Sequence, residues 1–305
     1  MHAARPVIVI SDAQALGDDG AALAFLFAAR AYSHITLVAA SGNVWADEAY
    51  ANLKNIAARF GAHNVSVLQG LSPERNRARL RFFEETESCR GDVRFAGALR
   101  MPAPKSDPAA DDGAIDNLIA AIEGAGNPEI ILLAPATILS AALALRPGLA
   151  IARVFAMGGA VHVGGNATPQ AEFNIWFDAE AAEALFAAGV PLTLLPLDAA
   201  KGLAYSRETI AASASPQAAY IREYLEKWKG AERPLWDEAL AAAVLRPKLI
   251  RRSADLRLRV ETAHNADFGA CRIEPSANRR PVQTILELDR EGLNALLAEL
   301  LAGAQ

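Results

Sequence analysis

The chain has 305 residues, of which 52% are apolar and 21% are charged, enough to build one large globular core. A net charge of −5 and an isoelectric point near 5.6 argue against a protein that attracts nucleic acid electrostatically. Two cysteines give neither a disulfide framework nor a metal-site spacing, and no signal peptide or membrane-length apolar stretch stands out. We therefore expect a cytoplasmic protein that binds neither membranes nor nucleic acid.

Apolar β-like runs recur along the chain, and alanine-rich helical patterns separate several of them. The runs cover residues 7–10, 35–40, 65–68, 130–133, 154–157 and 192–197. The helical patterns cover residues 20–31, 47–60, 115–124, 138–145 and 179–188. This alternation predicts an α/β fold with a mostly parallel sheet flanked by helices on both faces.

The remaining segments are more polar or less regular. Residues 71–112 are polar, include Pro102, Pro104 and Pro108, and predict a long irregular insertion. Residues 206–229 predict a helical patch rich in charge and aromatic side chains. Further helices are predicted over 234–245 and 289–301, the second after a strand at 282–288. Because no linker separates these segments, we expect a single domain over residues 1–305.

The segment that says most about function lies near the start of the chain. Four β-branched residues at 7–10 are followed by Asp12, Asp18 and Asp19 and then by an apolar helical pattern. Carboxylates bunched at the end of a buried strand repel one another unless a cation lies between them, and hard oxygen ligands suit Ca²⁺ or Mg²⁺. Alternatively, Asp18 and Asp19 only cap the helix and favour its dipole.

Polar or small residues also follow the other predicted strands. Because the carboxyl ends of parallel strands share one edge, we expect one cleft that can hold a metal and a polyhydroxylated ligand. Each group taken alone is compatible with ordinary turn chemistry. The groups are Ser41-Gly42-Asn43, Ala134 to Thr137, Met157-Gly158-Gly159, Gly164-Gly165-Asn166, Glu172-Phe173-Asn174 and Asp198.

These segments resemble the ordered motifs of the inosine-uridine preferring nucleoside hydrolases, from about residue 7 to about residue 297. The most specific part is the block Met157-Gly158-Gly159, Gly164-Gly165-Asn166 and Ala171-Glu172-Phe173-Asn174, with Trp236-Asp237 further along. The resemblance implies a Rossmann-like fold of the nucleoside hydrolase type, with the irregular insertion and the helical patch over the site. It also implies a tightly bound Ca²⁺, hydrolysis of a ribosyl–base bond of a small-molecule nucleoside, and a homo-oligomer, either dimer or tetramer.

The resemblance further implies roles for individual residues. The Ca²⁺ ligands would be Asp12, Asp19, Asp237 and the backbone carbonyl of Thr137. Asp12 would accept a proton from the water that attacks C1′. The ribose hydroxyls would be held by Asp18, Asn43, Asn174 and Asp237, the 5′-hydroxyl by Asn166 and Glu172, and Met157 would pack beneath the ribose, although it could also be a plain core residue.

The first motif departs from the family's Asp-Thr-Asp-Pro-Gly-x-Asp-Asp pattern. A gapless match on Asp18 and Asp19 places Gln14 at the general-base position, and Gln cannot take a proton. An insertion of two residues places Asp12 there instead and loses only the outer Asp, to Ile10. We prefer the second register because it keeps a carboxylate at the cation. The first would leave a non-catalytic nucleoside- or ribose-binding relative. A phosphohydrolase using Asp12 as nucleophile is disfavoured because no Gly-rich phosphate loop with Lys is present.

The residue before the last Asp also differs from many relatives, which carry His there as a candidate acid. Here it is Trp236, and an indole cannot donate a proton at neutral pH. A Trp at this position resembles the purine-preferring members, in which stacking makes a ring nitrogen of the base easier to protonate. We therefore predict a catalytic role for Trp236, purine preference and a place in purine salvage. Phe82, Phe83 or Trp228 would cover the other face of the base, and Trp236 could alternatively only pack at the helix start.

Overall fold

The computed structural model describes residues 5–71, 113–227, 233–275 and 279–303. The strands are β1 (Arg5–Ser11), β2 (Tyr32–Ala39), β3 (Val65–Leu68), β4 (Glu129–Leu132), β5 (Arg153–Met157), β6 (Leu192–Leu195), β7 (Ile250–Leu256), β8 (Leu258–Val260), β9 (Cys271–Ile273) and β10 (Val282–Leu288). The helices are α1 (Asp18–Ala29), α2 (Ala46–Arg59), α3 (Ala114–Ala125), α4 (Thr137–Leu145), α5 (Phe173–Phe177), α6 (Ala179–Ala187), α7 (Leu197–Ala200), α8 (Arg207–Ala211), α9 (Pro216–Glu226), α10 (Asp237–Leu245) and α11 (Arg290–Gly303).

Eight strands form one sheet in the order β3-β2-β1-β4-β5-β6-β10-β7. Neighbouring strands run parallel except β7, which pairs antiparallel with β10 at the edge. The predicted mostly parallel α/β sheet is therefore confirmed. No apolar run predicts β7, because most of its residues are exposed and it carries Arg251 and Arg252. Charged side chains on an edge strand discourage pairing with other chains.

Helices cover both faces of the sheet, and strand β1 shows why its sequence is continuously apolar. Val7 and Val9 pack into a core layer with α1, α10 and α11, whereas Ile8 and Ile10 pack into the opposite layer with α3, α4 and α6. Successive side chains of a strand point to opposite faces. Since both faces are buried, every position in the run must be apolar.

The strand order reverses at β1. The chain runs outward from β1 through β2 to β3 and then returns to β4, which pairs with β1 on the side opposite β2. The Leu133 amide donates to the Ile10 carbonyl at 2.8 Å, and the Ala40 amide donates to the Ser11 carbonyl at 2.9 Å. The crevice beyond the carboxyl ends of β1 and β4 is thus the place where open α/β sheets bind ligands.

Two predicted segments lie partly or wholly outside the described residues. Nearly all of the irregular insertion falls there, including Phe82 and Phe83, and so does Trp228. The described part of the helical patch forms α8 and α9, and Tyr220 of α9 receives a hydrogen bond from the Gly17 amide at 3.0 Å, just before α1. In the described part of the chain, no helix is long and apolar enough to cross a bilayer.

Candidate active site

Asp12 follows β1 directly and is fully buried. Its Oδ2 accepts the Asn43 amide at 2.5 Å, and the Asn43 side chain approaches Oδ1 at 3.5 Å. A Cβ on Gly42 would lie 1.9 Å from Oδ2, so only glycine permits this approach of the β2 loop. By contrast, Gln14 is exposed on the loop between β1 and α1.

Asp19 occupies the second position of α1 and is also fully buried. The Ser11 hydroxyl donates to its Oδ1 at 2.6 Å, whereas its Oδ2 is buried without a hydrogen-bond partner. A buried carboxylate oxygen without a partner is costly. A cation at this oxygen would supply the missing partner.

Asp237 begins α10, which packs against α1 and brings the two helix starts together. One carboxylate oxygen from each of Asp18, Asp19 and Asp237 lies within 4.8 Å of the other two. Ca²⁺ binds oxygens at about 2.3–2.6 Å, so two ligands of one ion are at most about 4.6–5.2 Å apart. The spacing and the all-oxygen donor set therefore fit a hard cation such as Ca²⁺. This set includes Asp18, for which the resemblance implies a ribose contact, and it does not include Asp12.

The carboxylates of the cluster and the neighbouring Asp12 disfavour one another's ionisation. Burial, opposed by the Asn43 amide and reinforced by the Asp18 and Glu172 charges, raises the pKa of Asp12 to about 7. Burial and the neighbouring aspartates also raise the pKa values of Asp19 and Asp237 well above their usual range. Three buried aspartates beside the partly buried Asp18 thus call for a positive partner.

An arginine supplies part of this positive charge, and the sequence analysis did not identify it. Arg233 is 1% exposed and lies 2.8 Å from an Asp18 oxygen and 3.0 Å from a Glu238 oxygen. The one sequence signal for this contact is an Arg four residues before Asp237. Its partner Asp18 is distant in sequence, so no local pattern connects the two residues. The pair exists because α1 and α10 pack together.

The glycine-rich block lies between the end of β5 and the start of α5. Asn174 at the start of α5 donates from its side chain to the Met157 carbonyl at 3.2 Å, and Met157 is buried. The Asn166 side-chain oxygen accepts the Phe173 amide at 2.9 Å. These hydrogen bonds connect the loop after β5 to the start of α5. They hold Asn174 and Asn166 in place, as side chains that orient a ligand need to be.

Glu172 has more local partners than its predicted role requires. Its Oε1 accepts the Asn174 amide at 2.9 Å, and its Oε2 accepts the Gly159 amide at 2.9 Å and the Ile175 amide at 3.2 Å. It therefore caps α5 and joins that helix to the end of β5. Contact with a 5′-hydroxyl remains a prediction for this residue.

Thr137 begins α4, and its hydroxyl donates to Asp178 at 2.6 Å. That contact ties the start of α4 to the start of α6, which Asp178 caps. The predicted metal contact of Thr137 involves its backbone carbonyl and remains a prediction.

Trp236 precedes Asp237 and is partly buried against the core. Its amide donates to Glu238 at 3.1 Å, and the Arg233 guanidinium lies over its ring, 5.4 Å from the centroid. Trp236 thus directly precedes a member of the carboxylate cluster and carries the Arg233 cation over its ring.

The sequence profile of the inosine-uridine preferring nucleoside hydrolases matches residues 9–295, nearly the whole chain. The chain belongs to this family. The resemblance drawn from the motifs is thereby confirmed, and this nucleoside hydrolase is an enzyme that hydrolyses N-ribosyl bonds of ribonucleosides.

Similar proteins agree on the family and differ in their named base preference. The chain is 27% identical to the pyrimidine-specific ribonucleoside hydrolase RihA of Citrobacter koseri, over 96% of this chain and 97% of that one. A plant nucleoside hydrolase structure superposes with a TM-score of 0.77 at 24% identity, covering 97% and 98% of the two chains. A purine-preferring ribonucleoside hydrolase from Gardnerella vaginalis superposes with a TM-score of 0.74 at 20% identity, covering 98% and 99%. These superpositions support the nucleoside hydrolase fold.

Proposed function

We propose that this nucleoside hydrolase uses Ca²⁺ bound by the buried carboxylate cluster and prefers purine nucleosides as substrates. The proposal of a metal rests on the buried Asp19 oxygen, which has no hydrogen-bond partner and lies near oxygens of Asp18 and Asp237. Asp19 and Asp237 would hold the ion, with Asp12 and the Thr137 carbonyl completing the protein ligands. A bound Ca²⁺ supplies the Lewis acidity that makes a water easier to deprotonate.

Side chains of the protein would transfer the proton, bind the ribose and stabilise the developing charge. Asp12, fixed by the Asn43 amide, is the group we assign to accept the proton of the attacking water. Asp18, Asn43 and Asn174 would bind ribose hydroxyls. The buried carboxylates would also stabilise positive charge that develops at C1′ as the base departs. The products would be ribose and the base.

Purine preference is supported by the place of Trp236. Trp236 directly precedes Asp237, which begins α10, and we propose that its ring borders the base attached to C1′. Stacking of a base on an aromatic side chain is worth roughly 1–3 kcal/mol, and purines offer more ring area than pyrimidines. RihA is named pyrimidine-specific, so uridine and cytidine are the competing substrates.

The first experiment measures metal and turnover together. Purified protein is analysed for bound metal, stripped with chelator, and assayed for ribose release from inosine and from uridine while Ca²⁺ is added back. We expect about one Ca²⁺ per chain, activity that returns with it, and a higher kcat/KM for inosine. Full ribose release by metal-free protein would refute the Ca²⁺ part, and equal kcat/KM values would refute the purine part.

The matched variants for the metal are Asp19→Asn and Asp116→Asn. Asp19 is a buried member of the cluster, whereas Asp116 lies in the first turn of α3, away from it. Asp19→Asn should lose bound Ca²⁺, and Asp116→Asn should retain it. Equal Ca²⁺ content in the two variants would place the ion elsewhere.

A further inference from the structure

Arg233 is a buried cation that contacts both halves of the site. It lies just before α10, and its guanidinium is 2.8 Å from an Asp18 carboxylate oxygen and 3.0 Å from a Glu238 oxygen. Asp18 belongs to the carboxylate cluster at the start of α1. A single side chain therefore ties the sugar side of the site to the segment that carries Trp236 and Asp237.

The surroundings of Arg233 hold its guanidinium in one orientation. The ring of Tyr224 lies against it, with 4.5 Å between the guanidinium carbon and the ring centroid. Glu238 is itself fixed, because it accepts the Tyr205 hydroxyl at 2.8 Å and the Trp236 amide at 3.1 Å. Burial would lower the pKa of Arg233, but the Glu238 and Asp18 charges outweigh it and raise the pKa, so the cation persists.

The same guanidinium lies over the Trp236 ring, 5.4 Å from its centroid. A cation over an aromatic face attracts the ring and restricts its rotation. The guanidinium thus holds one face of the indole, and in the proposed function the base stacks on the other face.

We infer that Arg233 is a positioning residue that orients the Asp18 carboxylate and the Trp236 indole together, so that ribose binding and base stacking depend on one side chain. The inference rests on the proposed function, in which Asp18 binds ribose and Trp236 stacks on the base. In this inference Arg233 acts through Asp18 and Trp236 and binds neither the nucleoside nor the ion.

Lysine is the informative replacement. It keeps the positive charge, but a single ammonium cannot hold two carboxylates in a planar fork or lie flat against the indole. The Asp18 carboxylate and the Trp236 ring should then both become mobile, while Asp19 and Asp237 keep their positions.

The experiment compares Arg233→Lys with Arg222→Lys. Arg222 is a partly buried arginine of α9 whose guanidinium donates to the Ile210 and Ser213 carbonyls, away from the site. For both variants kcat and KM are measured with inosine and uridine in saturating Ca²⁺. Binding of a C-nucleoside, whose carbon–carbon ribosyl bond resists hydrolysis, is followed by tryptophan fluorescence, and bound Ca²⁺ is measured.

For Arg233→Lys we expect the KM for inosine to rise about tenfold with a smaller change in kcat, as for a group that acts through substrate binding. C-nucleoside affinity should fall by a similar factor, and the inosine-to-uridine ratio of kcat/KM should move towards one. Bound Ca²⁺ should match the wild type. Arg222→Lys should keep the wild-type KM, ratio and fluorescence response.

Two results would overturn the inference. One is an Arg233→Lys enzyme with unchanged KM and substrate ratio. The other is an equal loss of kcat on both substrates together with a lower melting temperature, which a merely structural arginine would give. Glu238→Gln provides a second variant: it retains the Asp18 contact of Arg233 but loosens the guanidinium, and should change the substrate ratio less than Arg233→Lys, in the same direction. A wild type that releases no ribose, or prefers uridine, would instead count against the proposed function.

Discussion

The two halves of the site are built by different means. Asp12 and Asn43 sit at the ends of β1 and β2, where backbone hydrogen bonds and a close glycine fix them. Trp236 and Asp18 are instead held by side chains, through Arg233 and Glu238. The sheet therefore fixes Asp12 and Asn43, whereas the positions of Asp18 and Trp236 depend on side-chain contacts that single substitutions can change.

The largest effect should come from the strand-built half. Asp12→Asn keeps the shape of the side chain but removes its ability to accept a proton, so turnover of inosine should fall by roughly 10²-fold or more. Gln14→Ala is the matched control, because Gln14 is exposed on the same loop and should leave kcat within about twofold. If the two effects were reversed, Gln14 and not Asp12 would occupy the base position.

Sequence reasoning located this strand-built half because local patterns encode it. A continuous apolar run at 7–10 marks a strand buried on both faces, and a carboxylate just after such a strand must lie at the sheet edge. The contact between Arg233 and Asp18 left no such pattern, since it arises only when α1 and α10 pack. The contacts of Glu172 were missed for a related reason: its motif indicates a polar site but not which backbone amides its oxygens accept.

A second test replaces Gly42, which lets the loop after β2 approach the Asp12 carboxylate. In Gly42→Ala the added Cβ would meet Asp12 Oδ2 and the Pro135 ring, so the Asp12 carboxylate must shift. Misplacement of a reacting group by about 1 Å can cost up to about 10²-fold, and we expect kcat to fall about tenfold to hundredfold. Gly124→Ala in α3, where a Cβ meets no other group, is the control and should leave kcat unchanged. Similar kcat values for both variants would show that the close approach is unimportant.

The side-chain half is tested by removing its aromatic surface. Trp236→Ala should lower kcat/KM for inosine more than for uridine, by roughly 5- to 10-fold in the ratio, because base stacking is worth on the order of 1–3 kcal/mol. Bound Ca²⁺ should persist, since Asp237 remains. Trp45→Phe, at the start of α2, is the control for the loss of a tryptophan. A Trp236→Ala enzyme with an unchanged ratio would exclude stacking at this position.

The smallest effect concerns stability, and its sign follows from the buried aspartates. Their folded-state pKa values lie above the value of about 4 expected in the unfolded chain, and that of Asp12 is about 7. The metal-free folded protein therefore binds protons that the unfolded chain has released, so its stability falls as pH rises from about 4 to about 7. A cation can replace those protons and stabilises only the folded state. Chelator-treated protein should thus melt at a lower temperature at pH 8 than at pH 5.5, and added Ca²⁺ should raise the melting temperature more at pH 8. Asp19→Asn should reduce both differences, and a Ca²⁺ shift that is equal at the two pH values would contradict a site made of these carboxylates.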